Sequence, residues 1–156
     1  MTMFCCVVRD PVGDSAGVSV EPGVLEQVAR AFSPRVMPCG PRAVLFDASG
    51  LARVCGPPDV VAREVRAAAV AAGVPVRLAL AGTLTAAWVL AHARAGETIV
   101  PAARDAEYMA PLPLGWLLSI PELDRAVQLS RESSSILRDT SLSVEPATTS
   151  TGRGRA

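Results

Sequence analysis

The groups able to do chemistry in this chain are few, and they are scattered. Asp10 and Asp47 are acids placed where a divalent cation could be considered, and Asp14 is a further loop acid. Two-metal chemistry needs several carboxylates converging on one point, to balance the charge and fix the geometry. Asp47 has no second acid close to it in sequence, and its own position suits a turn. A strand-end Asp commonly accepts from the amides that follow, here Ala48-Ser49-Gly50. Asp10 and Asp14 read as loop acids on the same grounds. His92 is the only imidazole. It falls late in a helical segment, where the dipole favours a histidine. A Cys-His nucleophile would require it to meet Cys5, Cys6, Cys39 or Cys55, and no spacing arranges that. No pair of cysteines forms a C-x-x-C unit, so neither a zinc site nor a secreted disulfide framework is signalled. The residues therefore imply no metal and no cofactor, and the cysteines read as buried free thiols.

The elements that position these groups belong to one domain of ordinary size. The chain has 156 residues and is 50% apolar, enough for a real core. Formal net charge is +0, so no global field draws in nucleic acid or anionic membrane. All 15 basic residues are arginine. The apolar start, Met3 to Val8, has no basic run before it and does not read as a signal peptide. The longest uncharged stretch, Leu78 to Ala93, is shorter than the ~20 apolar residues a spanning helix needs. A cytoplasmic protein with no membrane partner is expected.

Periodicity predicts the elements. Met3–Val8 is short, apolar and followed by Asp10-Pro11, which reads as a buried strand. Residues 9–23 read as a loop. Val24, Leu25, Val28 and Phe32 recur at helical spacing. Arg35–Pro38 and Ala43–Asp47 read as two strands joined through Cys39-Gly40-Pro41-Arg42. A helix follows from Pro57-Pro58-Asp59, with Val61, Val65, Ala68, Ala69 and Ala72 as its stripe and Gly73 beyond its end. Val76–Ala81 is a strand with Val76, Leu78 and Leu80 on one face. Thr83 caps a helix whose stripe is Leu84, Ala87, Trp88 and Ala91. Thr98–Val100 is a short strand, and Asp105–Met109 a brief helix. From Ser130 the apolar residues thin out towards Arg153 and Arg155, so residues 121–156 read as weakly helical and then disordered. Two arginines are too few for a nucleic-acid tail. The expected class is α/β (α+β): a ferredoxin-like βαββαβ core over residues 1–120, extended by a helix-strand unit.

Two segments carry a resemblance. Ala31-Phe-Ser-Pro-Arg-Val36 followed by Ala43-Val-Leu-Phe-Asp-Ala-Ser-Gly-Leu51 is similar to the palm of Y-family translesion DNA polymerases. It resembles most the catalytically inactive ImuB-type branch of bacterial mutagenesis cassettes. The likeness continues through Val76–Thr83, Leu90–Gly96, Thr98–Pro101 and Leu112–Leu117, and covers roughly residues 24 to 117. Active members of that family place an Asp-Glu pair where this chain has Arg42 and Ala43. A cation at that place is hostile to two divalent ions. The resemblance implies a further metal-binding Asp near the end of the first strand, where Asp10 is nearest, and leaves Asp10 and Asp47 as vestigial metal-site positions. The family's lysine-bearing helix corresponds to Thr83–Ala91, which has no basic side chain. Residues 9–23 are too few for a fingers subdomain, and no thumb, little finger or clamp-binding peptide is recognisable after Leu117.

The expectation is a palm without its catalytic tools. It would be a non-catalytic accessory of DNA repair or translesion mutagenesis, acting by binding or scaffolding. Its partners would be primer-template DNA and mutasome-type repair proteins. The alternatives are a small oligomerising module without a DNA role, such as a homodimer, and a gene remnant without function. Trp88, on the apolar stripe, reads as core rather than as a base-stacking platform. Leu114 and Trp116 sit where the family's chain would enter its thumb, and are the expected interaction surface.

Overall fold

β1 (Phe4–Arg9) is a strand because Cys5 to Val8 offers unbroken apolar side chains to both faces of a sheet. It is the central strand. β3 (Ala43–Asp47) pairs antiparallel along one side of it and β4 (Val76–Ala81) antiparallel along the other. β2 (Val36–Pro38) closes one edge, antiparallel to β3, and Pro38 suits that edge because it cannot donate to a ladder. β5 (Glu97–Ile99) runs parallel to β4 at the other edge. The result is a mixed α/β fold on a five-stranded mixed sheet, ordered β2-β3-β1-β4-β5. The computed structural model describes residues 1–14, 17 and 20–120, and Met1–Ile120 is one compact unit. The tail expectation for residues 121–156 lies outside the described residues.

Strand alternation divides the core in two. Cys5, Val7, Val44, Phe46, Leu78 and Leu80 face one side, where α2 (Val24–Phe32) and α3 (Pro58–Ala71) cover them. Cys6, Val8, Ala43, Leu45, Ala79 and Ala81 face the other, covered by α4 (Leu84–Ala93). Two helix termini have clear local causes. Gly73, at φ 80°, follows α3 and lets the chain turn back through Val74 into β4. Thr83 Oγ1 accepts the Ala86 N–H at 3.2 Å, as the N-cap spacing predicts.

Where sequence and structure differ, the cause is local. Residues 9–23 contain a short helix, α1 (Pro11–Asp14). Asp10 starts it by accepting the Val12 N–H at 3.1 Å, and Pro11 stands in the first turn, where its missing N–H costs nothing. The α4 stripe is rotated. Ala86, Ala87, Leu90 and Ala91 are buried, while Leu84 is 40% exposed. The helix carries small or apolar residues on every side, so periodicity alone could not choose the face. On α3, Ala62 is buried and Ala72 exposed, against the expected stripe. β5 sits one residue earlier than expected, although Val100 still donates to the Leu80 carbonyl at 2.8 Å. α5 (Asp105–Met109) is as expected, and α6 (Leu114–Leu117) adds a single turn after Pro113.

Candidate functional site

One end of the β1–β3 ladder holds Arg42, Ala43 and Asp10 of the expected site residues. Val8 stands opposite Ala43, and one step further the Arg9 N–H donates to the Arg42 carbonyl at 2.8 Å. Arg9 and Arg42 are therefore a cross-strand pair. Alternation puts them on the α2 side of the sheet, next to Val7 and Val44. Together with Gly23, Glu26, Gly40 and Pro41 they line a cavity of about 260 Å³. Arg42 is the last residue of a three-residue turn, Gly40-Pro41-Arg42, between Cys39 and Ala43. Gly40 takes φ 75°, and the Cys39 N–H closes back on the Ala43 carbonyl at 2.9 Å.

Asp10 lies beside this end but on the opposite face. Its Oδ1 accepts from Arg77 Nε at 3.3 Å as well as from Val12 N–H. The carboxylate thus ties the start of α1 to β4. Ala43 is 4% exposed and presents only a methyl group beneath α4. Asp47 stands at the far end of the ladder, opposite Phe4. The register separates it from Asp10 by six residues, roughly 20 Å of strand. No single ion can bridge that gap, so the structure separates the two positions that the resemblance would make a vestigial metal site. Asp47 instead accepts the Ser49 N–H at 2.9 Å, the turn role its position suggests. Hydrogen bonds from Ser49, with Arg35 nearby, hold its carboxyl below the usual range. Among the described residues no group of three or more His, Cys, Asp or Glu could hold a metal ion.

The remaining singled-out residues are dispersed. His92 Nδ1 contacts the Trp88 carbonyl at 2.8 Å, and the two rings lie 4.8 Å apart. Trp88 is half-buried against the α4 side of the core. Leu114 is 82% exposed on α6, Leu118 is exposed just after it, and Trp116 is half-buried between them. Cys5 and Cys6 are buried on opposite faces, and burial pushes both thiols far up. Cys39 and Cys55 are half-buried. Arg153 and Arg155 lie outside the described residues. So does the acid Asp14 as a side chain.

Three residues of structural weight were not picked out by motif. Arg9 and Arg77 are the charged members of otherwise apolar strands, and that interruption was the available signal. Asp105 gave none. Its carboxylate accepts the Gly82 N–H at 3.1 Å and the Thr83 hydroxyl at 2.7 Å, which locks α5 onto the cap of α4. Tyr108, on the same short helix, has the Arg94 and Arg104 guanidinium groups over its ring, 5.5 and 5.8 Å from the ring centre.

Comparison with family models, with curated proteins and with solved structures finds no match. The site must be read from its own geometry.

No helix among the described residues is long and apolar enough to cross a membrane.

Proposed function

We propose that the chain is a non-catalytic protein resembling the Y-family polymerase palm, acting in DNA repair or translesion mutagenesis by binding or scaffolding. The observation that carries this reading is the end of the β1–β3 ladder. Arg42 and Ala43, which stand where the resembling family keeps two acids, sit directly beside the end of the first strand. The place where two carboxylates would clamp metal therefore holds a cation and a buried methyl group. Asp10, the carboxylate that follows the first strand, caps α1 and pairs with Arg77. A cation and a methyl group at that place do not suit two-metal nucleotidyl transfer, which supports the non-catalytic reading.

The strand order lends support. β2-β3-β1-β4 are all antiparallel, α2 lies in the β1–β2 crossover and α3 in the β3–β4 crossover, and both helices cover one face. A ferredoxin-like core requires that arrangement. The fold alone decides no activity. Primer-template DNA and repair proteins of a mutasome-type assembly are the proposed partners, in the cytoplasm.

The test is a primer-extension assay run beside a DNA-binding assay. The reading expects binding without nucleotide incorporation. Incorporation that disappears in Asp10→Ala would overturn the non-catalytic claim.

A second reading rests on a different observation. Leu114 and Leu118 present apolar side chains to solvent around Trp116. Such a surface suits self-association in a small module without a DNA role. Light scattering decides it: a dimer that Leu114→Asp converts to monomer favours this reading, and a monomer at every concentration removes it.

A further inference from the structure

The two faces of the sheet are covered unequally. α2 and α3 share one face. On the other, α4 lies over β1 and β4, and α5 packs beside it. The β2–β3 part of that face, next to the start of α4, forms a groove of about 320 Å³. Phe4, Leu45, Met37 and Leu84 line it, and Met37 and Leu84 are 48% and 40% exposed. Met37 stands opposite Leu45 in the register, so alternation puts Arg35 and Asp47 on the same face, two residues along. Both border the groove, and the Asp47 N–H donates to the Arg35 carbonyl at 3.4 Å. A base and an acid thus stand side by side at the rim of an apolar surface. The edge of β2 itself is poorly suited to recruiting another strand. The bonds of Arg35 and Cys39 to β3 turn those residues inward, so Pro34, Val36 and Pro38 face outward. Of these three only Val36 has an N–H to donate. A partner at this end of the sheet is therefore met through side chains on the face.

We propose that this part of the sheet face is a homodimer interface, on which a second copy of the chain packs Met37 and Leu84 and pairs its Asp47 with Arg35 across a two-fold axis. The charges select that occupant. A surface with one base and one acid side by side is complementary to itself once turned over. A two-fold axis passing between them sets each Arg35 against Asp47 of the second copy. A ligand of a single sign, such as a nucleic-acid backbone or an acidic peptide, would meet one favourable and one unfavourable charge. A carboxylate has several acceptor positions, so the Ser49 bond to Asp47 leaves room for a guanidinium from another chain. Met37 suits the centre of such a contact, because its unbranched side chain adapts to an irregular partner. The groove is small beside a standard interface of about 800 Å² per partner, so the dimer should be weak and in exchange with monomer. The interface uses none of Leu114, Trp116 or Leu118, and it rests on neither functional reading.

The experiment is sedimentation velocity of the full chain across the micromolar to millimolar range, at low and at high salt. The expected result is a monomer–dimer equilibrium that shifts towards monomer as salt rises. Met37→Asp places an acid in the contact of both copies at once. At about tenfold lost per contact, two equivalent contacts make the dimer about a hundredfold weaker. Leu84→Asp should act in the same direction, and Arg35→Glu, which sets acid against acid, should do so as well. Leu114→Asp and Val12→Asp, at exposed apolar residues outside the groove, should leave the equilibrium unchanged. Every substituted side chain is exposed, and circular dichroism of each variant reports that it is folded. A chain that stays monomeric at every concentration overturns the proposal and leaves the face to a different partner. Unchanged dimer affinity in Met37→Asp or in Arg35→Glu overturns it too, and a dimer dissolved by Leu114→Asp alone assigns the contact to α6 instead. Failure of primer-template binding with the Met37-dependent dimer intact would reject the DNA reading and leave this interface standing.

Discussion

Asp105 offers the sharpest test of how this fold is held together. Its carboxylate accepts from the Gly82 N–H and the Thr83 hydroxyl, and the same hydroxyl accepts from the Ala86 N–H. Thr83→Ala removes an N-cap, which costs about 1 kcal/mol. Asp105→Ala leaves the partly buried Gly82 amide without its acceptor. A buried orphan donor costs about 1–3 kcal/mol, and partial exposure places this one at the low end, about 1–1.5 kcal/mol. The bond between the two side chains is lost in either variant, so the double variant should cost about 0.5–1 kcal/mol less than the sum. In thermal melts each single variant should fall by about 3–6 °C. Denaturant titration of the four proteins gives the coupling directly. Additivity within about 0.3 kcal/mol would show that Asp105 and Thr83 act independently, and an unaffected Asp105→Ala would refute the tether altogether.

Three further outcomes follow from the core and the turns. Leu80→Ala, at a position 1% exposed in β4, should cost about 3–4 kcal/mol by denaturant unfolding, since the sheet and α3 cannot collapse into the gap; a cost under about 1 kcal/mol would contradict the packing. A thiol reagent should modify Cys39 and Cys55 in the native protein well before Cys5 and Cys6, with all four reacting after denaturation; early labelling of Cys5 would show that β1 is not buried. Asp47 has a carboxyl held below its ordinary value by Ser49, so its contribution to stability is present above the ordinary value of about 3.9 and is lost as pH falls through the lower folded value. Asp47→Asn should therefore lose stability at neutral pH and flatten acid unfolding, and an unchanged pH profile would remove that role.

Much of the architecture was legible because local signals were strong. β3 spans Ala43–Asp47 and β4 spans Val76–Ala81, as expected, because each is an apolar run cut off by turn residues. Thr83 was readable as a cap from its position before an apolar helix. The buried face of α4 was not readable, because alanine fits either side of a helix and only the neighbouring sheet decides. The site was half legible. Arg42 and Ala43 stood out through a resemblance, but their cross-strand partner Arg9 depends on register, which no local pattern encodes. Asp10 and Asp47 looked equivalent as isolated acids. Only the ladder shows that they occupy opposite ends of it. Asp105 was invisible for a similar reason, since its partners Gly82 and Thr83 lie far back in the chain.

We propose that this chain, which resembles a Y-family palm with Arg42 and Ala43 at the family's acid positions, binds DNA without catalysis. Fluorescence anisotropy with labelled primer-template DNA, at low and at physiological salt, tests it most directly. The account predicts saturable binding that weakens as salt rises and is tighter for primer-template than for single-stranded DNA. No binding even at low salt would contradict it.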